Sequence, residues 1–530
     1  MTTNLGSAGE RGSEITGDVT KYLIDGYLPT IGIECHVQLA TKTKLFSSVD
    51  NDARGAEPNS KVSAIDYALP GMLPVLNREA VRLAARAGRA LNAEIARESR
   101  FDRKHYFYPD LPKGYQISQM YQPTILSGHV DLPDGTRVRI HHAHLEEDAG
   151  KLTHHADHSE VDLNRAGTPL IEIVSEPDIH SAATARAYAE ELHALMTYAG
   201  VTHGDLYHGN MRFDVNVSVA KVGEPLGTRT EVKNLNSFRS VERAAEHEIA
   251  RQIAVLEKGE KVVQETRGWD DATGKTTSQR SKEDAQDYRY MPDPDIPPIV
   301  LDEAEIAQMQ ADMPTLPDEY RAKFAALKID KSVERTILRD QKIATTIAEI
   351  LDNSSAEIAK RVANLFASSL ASDEAEQQLS ARLSHDGKSV SDEPRNDARR
   401  GRRGKFVGQP TLPSSENLIK LAQIFGANEI SSTAEKEIFA EMLKNDRDPR
   451  QIAEAKNLLQ VSDENAIAEI VGQVLSAPEN QKAVADFRAG EEKVIGYLVG
   501  QVMKQSKGQA NPTLAGELIR DKINQSKENK

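Results

Sequence analysis

An apolar run with a single acid in its middle sets the tightest constraint on this chain. Leu170 to Val174 reads LIEIV and is bounded by Gly167, Pro169 and Pro177, the pattern of a short buried strand. Glu172 sits at its centre. An ionised carboxylate in a buried strand is costly unless it is paired or holds a metal. Just upstream stand three consecutive acids, Glu146, Glu147 and Asp148, followed by Gly150 and Lys151. The stretch from His144 to Asp178 therefore reads as one wall of a polar site, and the opposite wall must come from elsewhere.

Two other segments alternate with period two, as half-buried strands do. In PTIGIECHVQLAT, Ile31, Ile33, Cys35, Val37 and Leu39 share one face, and Glu34 and His36 share the other. That face is either the polar side of an edge strand or a pair of metal or nucleotide ligands. Cys35 points away from His36, so the two cannot form a nucleophile–base dyad, and a buried structural cysteine is the expectation. Further on, Phe213, Val215, Val217 and Val219 alternate with Arg212, Asp214, Asn216 and Ser218. The polar run RTEVKNLNSFR follows and contributes Lys233, Asn234, Asn236 and Ser237.

Helical spacing is expected over 78–97, 180–199 and 240–258. Residues 101–119 interleave Arg103, Lys104 and Lys113 with Tyr106, Phe107, Tyr108 and Tyr115. Such a mixture can receive phosphates and stack on bases, or pack as an aromatic loop on a core. His141, His142, His144, His154, His155 and His158 invite a zinc reading, but their spacing matches no closed zinc pattern. Hard carboxylates with few nitrogens favour Mg²⁺. The segment GWDDATGKT, 268–276, mimics a phosphate loop but has five residues between its glycines and no flanking strand and helix, so a hairpin is expected.

The chain's 530 residues suggest two to four domains, and its net charge of −15 excludes a general basic coat for nucleic acid. One cysteine permits no internal disulfide and fits the cytoplasm. The N-terminus lacks the apolar core of a signal peptide, and no apolar run is long enough for a membrane span. Residues 1–24 read as a disordered extension. Four prolines between residues 280 and 298 mark the end of a first domain at about 300. A helical domain over 301–415 carries a charged insertion at 372–413, with a basic knot at Arg399, Arg400, Arg402, Arg403 and Lys405. That insertion reads as disordered, or as a transient RNA contact. Helices fill 416–530. From Asn480 onward nine Lys and Arg stand against six Asp and Glu, a local reversal that points to a polyanion.

Taken together, IGIECHVQL, LPGMLPVLN, FDRKHYFYPDLPKGYQISQ, HLEEDAGK, DLNRAGTPLIEIVSEPD, EVKNLNSF, DYRYMPDPDIPP and GQVMKQSKGQANP resemble the B subunit of the tRNA-dependent amidotransferases, over roughly residues 27 to 525. The departures are the N-terminal extension, Cys35 where the family often has an aliphatic residue, and the charged insertion. The resemblance implies an α+β fold: a cradle-like catalytic domain of largely antiparallel sheet, then an all-α helical domain, then a small all-α tail domain that binds tRNA. It implies an ATP-dependent carbon–nitrogen ligase that uses glutamine as amido donor and converts Glu-tRNA(Gln) or Asp-tRNA(Asn) to Gln-tRNA(Gln) or Asn-tRNA(Asn). It also implies a heterotrimer, in which the partners are an amidase, the A subunit, plus a small C subunit. The residues agree by omission, since the chain has no GxSxG elbow and no well-placed cysteine nucleophile.

In that reading ATP and Mg²⁺ are the cofactors. His36, Glu147 and Glu172 are the expected metal ligands, and Glu34, Asp148 and Asp214 lie close by. Lys151 is expected to meet a phosphate as a point charge. Arg165, Lys233 and Asn234 are further candidates for the nucleotide or aminoacyl end. Two other readings stay open. One is a non-catalytic tRNA-binding scaffold whose acids pair with Arg103, Arg165 and Arg212. The other is a stand-alone zinc hydrolase built on the histidines.

Overall fold

The computed structural model describes residues 19–281, 288–370, 412–460, 464–506 and 510–528. Most of the 1–24 extension and of the 372–413 insertion lies outside the described residues. The chain divides into two compact units, with the boundary between Pro317 and Asp318.

The first unit is built from thirteen strands that matter here. They are β1 (Tyr27–Gln38), β2 (Glu98–Ser99), β3 (Asp102–His105), β4 (Tyr115–Ser118), β5 (Gly128–Asp131), β6 (Arg137–Glu147), β7 (Lys151–His154), β8 (Ser159–Asp162), β9 (Pro169–Ser175), β10 (Met211–Lys221), β11 (Thr230–Leu235), β12 (Glu265–Asp270) and β13 (Lys275–Ser281). Eight of them form one sheet in the order β13-β12-β11-β10-β1-β9-β6-β5. Its pairings are antiparallel except β11 with β12.

One face of the sheet is apolar and buried, as alternation requires. Ile31, Ile33, Cys35 and Val37 of β1, Ile171 and Ile173 of β9, and Phe213, Val215 and Val217 of β10 all belong to the core. Helices α1 (Arg78–Ala90), α2 (Ala182–Tyr198) and α3 (Phe238–Glu257) add Leu83, Tyr188, Leu192, Val241 and Ile249 to the same cluster. Each such side chain, fully buried, contributes about 1.5–3 kcal/mol. The helix starts are set by side-chain caps: Asn77 accepts from the Glu79 N–H, Ser181 from Thr184 and Ser237 from Ser240. Cys35 is buried and its thiol is pushed up by that burial, so it is the structural residue expected.

A fourth helix, α4 (Glu303–Gln310), packs on α1, and its Met309 joins the same core. Arg86 also pairs with Asp312. These contacts carry the first unit beyond residue 300 to Pro317. The second unit is helical. Gln341–Asn353 and Ala356–Leu370 pack with Ser415–Gly426, and Ile467, Val471, Leu498, Val502, Ile519 and Ile523 form the core of four helices between 464 and 528. An α+β unit followed by helices is the fold class anticipated above. Among the described residues no helix is long and apolar enough to cross a membrane.

Candidate functional site

The other face of the sheet is polar, and the register of five strands lines up its charges. Glu34 lies opposite Asp214, His36 opposite Glu172, and His144 of β6 also opposite Glu172. Asn216 of β10 faces Glu231 of β11. The acids fall into two groups, His36–Glu146–Glu172 and Glu34–Asp214–Glu231, and within each group the donor atoms lie within 4.8 Å of one another.

Two imidazoles knit the first group. His36 Nε2 lies 3.6 Å from Glu146 Oε1 and 3.8 Å from Glu172 Oε2. His144 Nε2 lies 3.2 Å from Glu172 Oε2 and 3.7 Å from Glu146 Oε2. Burial opposes the charge on His144, but Glu172 and Glu146 outweigh it and push its pKa up to about 10. Its neighbour His142 is pushed down to about 3 by burial and by the positive charge of His144. Burial would raise Glu172, yet His36, His144 and Lys104 hold it well below the usual carboxylate range.

The second group leans on Lys233, whose Nζ sits 2.7 Å from Asp214 Oδ2 and 2.9 Å from Glu231 Oε1. Glu34 accepts from the Asn216 side-chain amide at 3.0 Å, and among the described residues it pairs with no cation. Burial and then the charges of Glu172 and Glu231 push the Glu34 carboxyl up. Five carboxylates on one half-buried face thus exceed the positive charge around them. An oxygen-rich, net-negative cluster with one or two imidazoles suits a hard divalent cation.

Glu147 departs from expectation. It does not join His36 and Glu172; Glu146 takes that place. A strand sends successive side chains to opposite faces, and β6 continues through both residues. Glu147 is buried on the far side, where it pairs with Lys113 and accepts from the Ile117 N–H at 3.0 Å. Asp148 at the strand's end is held 2.9 Å from Arg212 and 3.4 Å from Arg165.

Lys151, expected to meet a phosphate, opens β7 and is exposed. Arg165 donates to the carbonyls of Ala149 (2.9 Å) and Gly150 (2.7 Å), so it ties down the turn beside Asp148. Asn234 lies in β11, but its side chain is outside the described residues. Arg103 pairs with Asp293 and Asp295 at 2.8 and 2.7 Å. The segment 268–276 is a hairpin, with Asp270 paired to Lys275 across β12 and β13.

Residues 29–307 match the GatB/GatE catalytic domain, and residues 403–523 match the GatB domain. The chain belongs to the GatB/GatE family. Among curated relatives, the B subunit of the aspartyl/glutamyl-tRNA(Asn/Gln) amidotransferase from Halorhodospira halophila is 44% identical over 503 residues, 94% of this chain and 99% of the relative. Its counterpart from Teredinibacter turnerae is 46% identical over 504 residues, 93% of this chain and 98% of the relative. That of Alkalilimnicola ehrlichii is 45% identical over 500 residues, with 93% and 98% covered. Within the candidate site, the residues that sequence reasoning did not single out as ligands are Glu146, Glu231 and His144. All three carried a readable signal. His144 and Glu146 stand two apart in one strand, as do Glu231 and Lys233 in the alternating run TEVKNL.

Proposed function

We propose that the polar sheet face is the site at which this chain, as the B subunit of a glutamine-dependent tRNA amidotransferase, activates and amidates the side-chain carboxylate of Glu-tRNA(Gln) or Asp-tRNA(Asn). The observation that carries the reading is the pair of adjacent acidic groups, His36–Glu146–Glu172 and Glu34–Asp214–Glu231, on one face. A carboxylate is a poor acceptor for ammonia, because its charge repels the nucleophile and oxide does not leave. Transfer of the γ-phosphoryl of ATP to that carboxylate releases ADP and gives an acyl phosphate. Ammonia then adds to its carbonyl carbon, inorganic phosphate departs, and the amide remains. Such a sequence asks a protein mainly for position and charge neutralisation.

The residues at hand fit those demands. His36, Glu146 and Glu172, with Glu34, Asp214 and Glu231, are the groups that would hold Mg²⁺, which when bound neutralises phosphate oxygens. His144 fixes Glu172 and Glu146 through its Nε2 contacts. Lys233 presents a cation kept charged by Asp214 and Glu231, and the half-buried Lys104, near Glu146 and Glu172, is also kept charged by those acids. Both can meet an anionic substrate group.

Ammonia comes from an amidase, the A subunit, while a small C subunit completes the heterotrimer. The basic C-terminal stretch engages the tRNA, and the cytoplasm, where aminoacyl-tRNA is used, is the compartment. The scaffold reading needs the acids paired to arginines. Arg103, Arg165 and Arg212 are indeed paired, but with Asp293, Asp295 and Asp148, which leaves Glu146 and Glu172 to His36 and His144, and Glu34 to the Asn216 amide.

The test uses the chain reconstituted with its amidase and its small partner, and ammonium chloride in place of glutamine. With ATP, Mg²⁺ and misacylated tRNA, the wild type gives amidated aminoacyl-tRNA, and Glu146→Ala gives none while still binding tRNA. Product at the wild-type rate from Glu146→Ala overturns the assignment of the site. An assembled wild-type complex that binds tRNA but makes no product overturns the catalytic reading in favour of the scaffold.

A further inference from the structure

The β7–β8 hairpin carries a donor cluster made of none of the residues of the acidic sheet face. Its register pairs Leu152 with Val161, Thr153 with Glu160 and His154 with Ser159. The His155 N–H then donates to the His158 carbonyl at 2.8 Å, which closes the turn on Ala156 and Asp157. Alternation puts Thr153 and His155 on the same face as His158 and Glu160. The two imidazoles of that face stack with centroids 4.5 Å apart and planes 17° from parallel. Glu160 Oε2 lies 3.4 Å from His155 Nε2, and the donor atoms of His155, His158 and Glu160 all lie within 4.8 Å of one another.

One contact makes this more than a crowded surface. Asp157 Oδ1 lies 2.7 Å from His158 Nδ1. A carboxylate there accepts a hydrogen bond from Nδ1–H, which keeps the proton on Nδ1 and leaves Nε2 as a lone-pair donor, the usual orientation of histidine ligands of metals. His154, on the other face, is engaged with Ser159 Oγ at 2.8 Å and takes no part. The three donors are exposed, so the rings can turn from their stacked pose to present their lone pairs to an ion.

We propose that this hairpin tip is a surface site for a borderline divalent transition metal, Zn²⁺ foremost, held by His155, His158 and Glu160 and oriented by Asp157. Two imidazoles and one carboxylate suit Zn²⁺, Ni²⁺ or Cu²⁺ and not Mg²⁺ or Ca²⁺, which ask for oxygen. Three protein donors leave a position for water. The base of the hairpin is anchored near the acidic face: β7 begins three residues after Asp148, and Asp162 at the end of β8 caps the turn that carries Arg165. A bound ion clasps the tip of that ribbon.

The test is a zinc titration of the full chain, in excess Mg²⁺, against a chromophoric chelator. Wild type is compared with His155→Ala/His158→Ala and with Asp157→Asn. Any zinc taken by His36, Glu146 and Glu172 is common to all three and cancels. The double variant is expected to bind one zinc fewer than wild type, and Asp157→Asn to weaken that zinc by about 10–100-fold. The exposed substitutions leave ammonium-driven amidation unchanged, which shows the variants are folded. Equal zinc stoichiometry and affinity in wild type and double variant overturns the proposal.

Discussion

Glu146 and Glu147 are consecutive in the chain and lie on opposite faces of β6. Glu146 reaches His36, while Glu147 pairs with Lys113 in the protein interior. Substituting them therefore has different consequences. Glu146→Ala is expected to remove ATP-dependent amidation and leave the melting temperature close to that of wild type. Glu147→Ala strands a buried lysine, a change that costs about 3–5 kcal/mol. Thermal unfolding and the ammonium-driven assay, run on both variants, separate the two. Equal melting temperatures for both would show that the Glu147–Lys113 pair does not support the fold.

Lys233 acts as a built-in cation between Asp214 and Glu231. Its removal leaves the Glu34–Asp214–Glu231 group with uncompensated negative charge. Lys233→Met is expected to bind Mn²⁺, a spectroscopic substitute for Mg²⁺, at least about fivefold more tightly, because a unit charge at contact distance is worth about 1–4 kcal/mol between water and a protein surface. The same variant loses amidation if the ammonium group also meets an anionic substrate. Calorimetric titration with Mn²⁺ reads the first effect, and weaker binding in the variant would contradict it.

Much of this architecture is legible in the sequence because strand alternation is a geometric rule. Glu34 and His36, Asp214 and Asn216, and Glu172 in its apolar run can each be assigned to a face from spacing alone. The misplacement of Glu147 has a physical source. HLEED has the composition of an acidic loop, and a loop imposes no parity, whereas β6 extends as a strand through Glu147. Carrying the alternation two residues further selects Glu146. What no spacing can supply is the order of the strands. That Glu231 comes to lie near Glu34 depends on β11, β10 and β1 being neighbours. The partners of Asp148, Arg165 and Arg212 are equally a matter of long-range packing.

Behind the sheet, Glu248 of α3 is buried with Arg251 at 2.9 Å, the Thr230 hydroxyl and the Gln252 side-chain amide. Burial alone would raise its pKa, but these donors together hold it below the ordinary value of 4.5. A depressed folded-state pKa contributes stability that is complete above the unfolded value and is lost as pH falls through the folded one. Glu248→Gln is therefore expected to melt below wild type at neutral pH, with the gap closing as pH drops below about 4.5, the ordinary glutamate value. Melting curves across pH for both proteins check this, and a gap that widens on acidification would reverse the sign.

Gly167 holds the turn between Asp148 and β9 in place. Its φ is +79°, and a Cβ there would meet Asp66 Oδ1 at 2.6 Å. Asp66 is the buried partner of Lys44 at 2.9 Å, so displacing its carboxylate strains that pair. Gly167→Ala is expected to destabilise the first unit by about 1–2 kcal/mol from backbone conformation alone, with a further loss from the displaced ion pair. It also shifts the strand that carries Glu172, so amidation falls more steeply than stability. Asp66→Asn separates the two causes: it weakens the Lys44 pair without altering the turn, and is expected to lower the melting temperature while keeping more activity than Gly167→Ala. Greater loss of activity in Asp66→Asn would place the functional burden on the buried ion pair instead of the glycine turn.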